Sequence, residues 1–177
     1  MMLTQNENVI LHILHERPNL GKTALMKIIY FLQHVKRLEL EYDFDIYTYG
    51  PYASDVTDTL DNLISDGFVS SVVHSYRNYS GYALSISETG KEMMHLLSDE
   101  DEKEVQEILT FADGKSAKDL ELHATIVFIN HLLCVQKGTI ASKDDVIKTV
   151  HDIKPHFDKK TILEAYDSLA RREYISS

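Results

Sequence analysis

Histidine is the residue type here most able to do chemistry: there are nine in 177 residues, beside a single cysteine. Imidazoles bind metals and move protons near neutral pH, so their spacing decides what they can do. His12 and His15 stand three apart, and His123 and His131 stand eight apart. Neither pair makes a ligand cluster, no H-E-x-x-H occurs, and no nucleophile elbow frames a serine. Glu121 and His123 fall on different faces of one helix, while His151 and His156, flanking Pro155, read as surface residues. Cys134 lies in the apolar run HLLCV and reads as a buried structural thiol. Gly21-Lys22-Thr23 invites a phosphate-binding loop, but Glu16 stands where such a loop needs its first glycine. No catalytic residue, cofactor or metal ligand is assigned.

Contact chemistry is better represented. The stretch IYTYGPYASDV, residues 46–56, places Tyr47, Tyr49 and Tyr52 around Gly50-Pro51, with Asp55 and Asp58 following. Tyrosine offers a large contact area at small entropic cost together with a hydroxyl, which suits a protein interface. The competing reading has two of the three rings covering the core with their hydroxyls bonded to backbone. Tyr47, Tyr52, Asp55 and Asp58 are the candidate partner-binding residues, joined by Arg77 and Tyr79 on a later hairpin.

Composition narrows the partners. With 44% apolar residues the chain can bury a core. The longest apolar runs fall short of a membrane span, and the start lacks the layout of a signal peptide, so a soluble cytoplasmic protein is expected. There are 18 basic and 28 acidic residues, a formal charge of −10. Through Leu97 the count is 7 basic against 12 acidic, and after it 11 against 16, so each part carries −5. Duplex DNA is held largely through neutralised phosphates, and neither part is a basic module.

The elements that must position these residues follow from periodicity. Val9, Ile10, Ile13 and Leu14 mark a helix that Pro18 ends. A second runs from about Gly21 to Arg37, with Leu25, Ile28, Ile29, Leu32 and Val35 as its apolar stripe. Residues 44–49 alternate as a short strand, and Gly50-Pro51 then punctuates the approach to a helix through Val56, Leu60, Leu63 and Ile64, capped at Gly67. FVSSVVHSY and YALSIS read as a hairpin around the turn cluster RNYSG. Ser87 caps a helix whose apolar face is Met93, Met94 and Leu97. The acidic run from Asp99 reads as a solvated helix face or connector, followed by helices at 120–135, 143–153 and about Asp158 to Arg172. Residues 59–71 and 165–177 share Asp, Leu and a closing Ser-Ser at the same offsets, which an internal duplication or chance would produce.

Leu63, Gly67, Val69, Tyr82, Leu84, Ser85 and Gly90 fall in the order found in winged helix-turn-helix proteins, which the chain resembles from the third helix to the fourth, with the hairpin as the wing. More closely, Lys22, Leu25, Lys27, Ile28, Tyr30 and Phe31, then Phe44, Tyr49, Gly50, Pro51 and Tyr52, resemble the Panacea domain of SocA-like antitoxins and the related YwgA-like proteins. The resemblance is best over residues 20–70. It implies a structural role for Tyr49, Gly50 and Pro51, and a mostly helical protein whose relatives act as antitoxins, as protease adaptors, or as phage-borne and host proteins.

The expected fold is α+β and mainly helical, with a winged-helix-like unit over residues 1–97 and a helical extension over 98–177 packed on it. The expected function is non-enzymatic, antitoxin-like binding of a protein partner by stoichiometric contact. A winged-helix transcriptional regulator, dimeric through its C-terminal helices, is the main alternative. It is disfavoured because the helix from Ala53 to Ser65 presents Asp55, Asp58 and Asp61 and no basic residue. Lys22, Lys27, Lys36 and Arg37 leave room for a nonspecific DNA contact, on more than one helix face. A phage-borne inhibitor of a host enzyme is the third reading.

Overall fold

The computed structural model describes residues 2–76 and 79–177, with backbone alone for Tyr76, Tyr79 and Ser80. It is α+β and mainly helical. Helix α1 (Gln5–Glu16) opens with a capping box, in which Thr4 and Glu7 satisfy each other's backbone N–H groups. The two-residue strand β1 (Leu20–Gly21) leads directly into α2 (Lys22–His34). A small hairpin, β2 (Asp45–Tyr47) with β3 (Gly50–Tyr52), precedes α3 (Ser54–Ser65). The long hairpin of β4 (Val69–Tyr76) and β5 (Tyr79–Ile86) follows, then α4 (Glu88–Met93), α5 (Asp99–Ala112), α6 (Ala117–Lys137), α7 (Lys143–Ile153) and α8 (Lys159–Arg171).

Helices α2 and α6 are the centre. Every residue from Leu25 to Leu32 is buried, as is every residue from Leu120 to Val127. A helix apolar on most sides needs neighbours all round. Accordingly α2 packs on α5, α6 and the small hairpin, and α6 on α7 and α8. The three-stranded antiparallel sheet, ordered β1-β5-β4, pairs Leu20 with Leu84 and Val69 with Ile86. Its buried Leu84 and Val69 face the core, whereas Val72 and Val73 further out are more than half exposed. Among the described residues no helix is long and apolar enough to cross a membrane.

Three expectations need correction. Helix α2 begins after a strand and ends at His34, short of Arg37, which takes a left-handed φ of +61°. The strand expected at residues 44–49 is shorter, and Gly50-Pro51 belongs to a second strand rather than to a corner between strand and helix. The turn is Thr48-Tyr49, and Pro51 pairs with Ile46 in a two-stranded ribbon, where its missing N–H disrupts no central ladder. Helix α4 stops at Met93, with Met94 extended, so Met94 and Leu97 pack on the core from beyond its end.

The echo between residues 59–71 and 165–177 has a backbone counterpart. Phe68 N–H donates to Leu63 O at 2.9 Å, and Tyr174 N–H donates to Leu169 O at 3.0 Å. The residue before each donor is left-handed, Gly67 at φ +76° and Glu173 at +58°. Both helices therefore end in the same kind of C-terminal cap.

Candidate functional site

The small hairpin lies against α6 because Gly50 has no side chain. A Cβ built at Gly50 would stand 2.9 Å from Thr125 Oγ1 and 3.3 Å from Glu121 Cγ, and its φ of +82° is one that L residues avoid. Two lysines hold the carbonyl oxygens of the hairpin. Lys27 Nζ, from α2, donates to Pro51 O at 2.6 Å. Lys154 Nζ, from the end of α7, donates to Thr48 O and to Glu121 Oε1, the latter at 2.7 Å, and reaches Tyr47 O at 3.5 Å. Lys27, Lys154 and Glu121 are 2%, 4% and 5% exposed. Buried charges persist only when paired and hydrogen-bonded. Here two ammonium groups share one carboxylate, Lys154 takes it, and backbone oxygens supply the remaining acceptors.

Burial lowers the Lys27 pKa to about 8, with nearby Glu121 opposing the shift and Lys154 adding to it. An unfolded chain keeps that proton to its ordinary value of 10.5. Between the two values unfolding takes up a proton, so stability rises with pH in that window, while below it the folded state carries the full cost of the buried charge. The urea midpoint is expected to climb from about pH 8 to about pH 9.5, by up to roughly 1 kcal/mol per pH unit, and Lys27→Met is expected to flatten the slope.

Three of the six candidate contact residues, Tyr47, Tyr52 and Asp55, come together at the hairpin and the start of α3. A cavity of about 310 Å³ is lined by Asp43, Asp45, Tyr47, Tyr52, Ser54 and Asp55. Tyr47 and Tyr52 meet edge to face with ring centroids 5.4 Å apart. Tyr47 is 59% exposed, whereas Tyr52 is half-buried with its hydroxyl 3.1 Å from Thr57 Oγ1. Asp58, exposed, lies one turn beyond Asp55 on α3 and outside the cavity wall. Arg77 lies outside the described residues, and Tyr79 is described by its backbone alone. Tyr49, grouped with Gly50 and Pro51 as structural, is 67% exposed at the turn, while both of those neighbours are buried. Gly67 ends α3 as expected.

The basic residues of α2 and its end make no DNA-facing stripe. Lys27 is buried, Lys36 is paired with Glu104 and Glu107, and Lys22 stands 3.6 Å from Asp61. His151 is half-buried, with Nδ1 3.1 Å from Phe157 O, and so is not the surface residue expected, whereas His156 is exposed. Cys134 is half-buried, and its sulfur accepts the Ala141 N–H at 3.3 Å. Among the described residues no group of three or more His, Cys, Asp or Glu is placed to hold a metal ion.

The Lys27, Glu121 and Lys154 cluster was not singled out by sequence spacing. One trace of it is legible: Lys27 interrupts ALMKIIYFL, where every other residue from 24 to 32 is apolar. A charge in a helix with no polar face is a buried charge with a partner elsewhere. Lys154 carries no such trace.

No family model matches the chain. It is similar to the uncharacterized protein YwgA of Bacillus subtilis (strain 168). The two are 27% identical over 139 residues, which span 75% of this chain and 81% of YwgA. That likeness supports the YwgA-like part of the resemblance. Among solved structures, smu.1604c from Streptococcus mutans UA159 aligns over 93% of this chain and 99% of its own, at 19% identity and a TM-score of 0.33.

Proposed function

We propose that this chain is a non-enzymatic, antitoxin-like regulator that binds a protein partner by stoichiometric contact. One observation carries the reading: Tyr47, Tyr52 and Asp55, separated by up to eight residues, line one open cavity with two further carboxylates, Asp43 and Asp45. Carboxylates beside aromatic rings suit a lysine or arginine side chain, which pairs with the acids and stacks on the rings. A basic partner anchored there also fits a chain of net charge −10.

We also infer a winged-helix-like unit over residues 1–97, with 98–177 as a helical extension packed against it. The succession of three helices, a β-hairpin and a short strand pairing with it supports this reading. It keeps a DNA-binding regulator as the second reading, against which stand Asp58 and Asp61 on the exposed face of α3. An inhibitor of a host enzyme would use the same acidic cavity.

The test is affinity purification of the tagged protein from its native cells, with and without nuclease, beside a Tyr47→Ala, Asp55→Lys double variant. Tyr47 is preferred to Tyr52, whose ring supports the hairpin. One stoichiometric protein that survives nuclease is expected, and the double variant is expected to bind it at least roughly 30-fold more weakly with an unchanged melting temperature. A folded double variant that binds normally removes this site, and nuclease-sensitive recovery of DNA restores the second reading.

A further inference from the structure

Between the small hairpin and α2 lies a second, partly open cavity of about 370 Å³, at the small end of the range for ligand sites. Its walls include Tyr47, Tyr49 and Tyr52 from the hairpin and Met26, Lys22 and Lys27 from α2. Two lysines and no carboxylate line it, in a chain where acidic residues outnumber basic ones by 28 to 18. The remaining wall residues are threonines and the backbone of Gly50, so aromatic rings and one methionine make the body of the cavity while cations supply its charge.

Lys27 is short of an anion. Lys154 has the Glu121 carboxylate at 2.7 Å, whereas Lys27 Nζ has one acceptor among the described residues, the neutral Pro51 carbonyl. An ammonium group has three donors, so two are left over on a side chain that is 2% exposed. Lys22 is the outer cation. It is over a third exposed, with its Nζ 4.9 Å from the Tyr82 ring centroid and 3.6 Å from Asp61, a pairing that water screens.

We propose that this cavity binds an organic carboxylate with a small apolar or aromatic body, the acid group directed to Lys27 and Lys22 and the body packed among Met26, Tyr47, Tyr49 and Tyr52. A carboxylate would supply the missing counter-charge and accept the spare N–H groups, and a compact apolar body would displace water from the tyrosine faces. Such an acid occurs free or as the C-terminus of a polypeptide, and both present the same chemistry.

The groups facing Lys27 make the prediction pH-dependent in one direction. Glu121 of α6, Lys154 beyond α7 and Lys22 of α2 are the charged neighbours, with the phenols of Tyr47, Tyr49 and Tyr52 across the cavity. Lys27 loses its proton near pH 8, and an anion bound beside it favours the protonated form, so binding takes up a proton above that pH and weakens as pH rises.

Calorimetric titration and amide NMR with phenylacetate, its neutral isostere phenylacetamide, and N-acetylphenylalanine provide the test. Phenylacetate is expected to bind at about pH 7 and to weaken roughly 30-fold by about pH 9.5, with shifts centred on residues 22–27 and 47–52. Phenylacetamide is expected not to bind. If N-acetylphenylalanine binds more tightly than phenylacetate, the acid is a polypeptide terminus; if more weakly, it is a free small molecule. Lys27→Met is expected to abolish binding. Because that variant also removes a hairpin contact, Lys22→Gln and the acid-against-amide comparison on the unaltered protein carry the test independently. Equal binding of acid and amide, binding that ignores pH, or no saturation of either acid below about 10 mM overturns the proposal.

Discussion

Replacing Lys154 with methionine is expected to destabilise the protein by roughly 3–5 kcal/mol, measured as a fall in urea midpoint. The side chain donates to Glu121 and to the carbonyl of Thr48 from a position that is 4% exposed. Methionine fills similar volume but leaves Glu121, 5% exposed, without its hydrogen-bonded cation, with only the more distant Lys27 charge near it, and Thr48 O without its donor. Domains are commonly stable by only about 5–15 kcal/mol, so this one change is expected to consume a large part of the whole. A double-mutant cycle isolates the ion pair. Glu121→Gln added to Lys154→Met removes the stranded negative charge, and the double variant is expected to recover about 1–3 kcal/mol relative to Lys154→Met alone. Strict additivity would mean that the pair contributes nothing beyond its separate contacts.

The second large effect is expected at Gly50. Gly50→Ala combines a left-handed backbone, φ +82°, with a Cβ 2.9 Å from Thr125 Oγ1 and 3.3 Å from the Glu121 carbonyl oxygen. The conformational share is about 1–2 kcal/mol and the overpacking share about 1–3 kcal/mol. Gly67 separates the two, since it has nearly the same φ, +76°, with nothing among the described residues within 4 Å of an added Cβ. Gly67→Ala is expected to lose only the conformational share. Thr125 Oγ1 is buried with no hydrogen-bond partner among the described residues, so Thr125→Ala leaves no partner there stranded and is expected to return part of the steric loss in a Gly50→Ala background. Equal losses at Gly50 and Gly67, with no relief from Thr125→Ala, would show that the hairpin does not depend on close approach to α6.

Local chemistry made much of the fold legible. Ser87 accepts from the Gly90 N–H and Asp158 from the Thr161 N–H, the cap roles their positions predicted. Gly67 ends α3, and the hairpin forms as alternation required, although its second strand begins at Tyr79 rather than Tyr82, because Tyr79, Ser80 and Gly81 of the expected turn cluster pair with Tyr76, Ser75 and His74. Strand β1 was not legible, because two residues carry no periodicity and Leu20–Gly21 becomes a strand only by pairing with β5. The division of the small hairpin was missed for a related reason. Gly50-Pro51 is ordinary turn vocabulary, and only the pairing of Ile46 with Pro51 makes it strand.

The candidate site divides the same way. Tyr47, Tyr52 and Asp55 stood out by residue type alone, as members of a tyrosine-rich, acidic segment. That they share a cavity with Asp43 and Asp45 depends on how the hairpin and the start of α3 come together. What the sequence by itself determined is therefore the set of helices, their caps, the long hairpin and the acidic balance, since each depends on neighbours within a few positions. What only the tertiary structure decided is which partners the buried charges meet, and that Lys154 and Glu121 are buried at all. Lys154 meets Thr48 and Tyr47 across more than a hundred residues and Glu121 across 33. Burial belongs to the surroundings of a side chain, and a lysine destined for the interior has the same covalent structure as one on the surface.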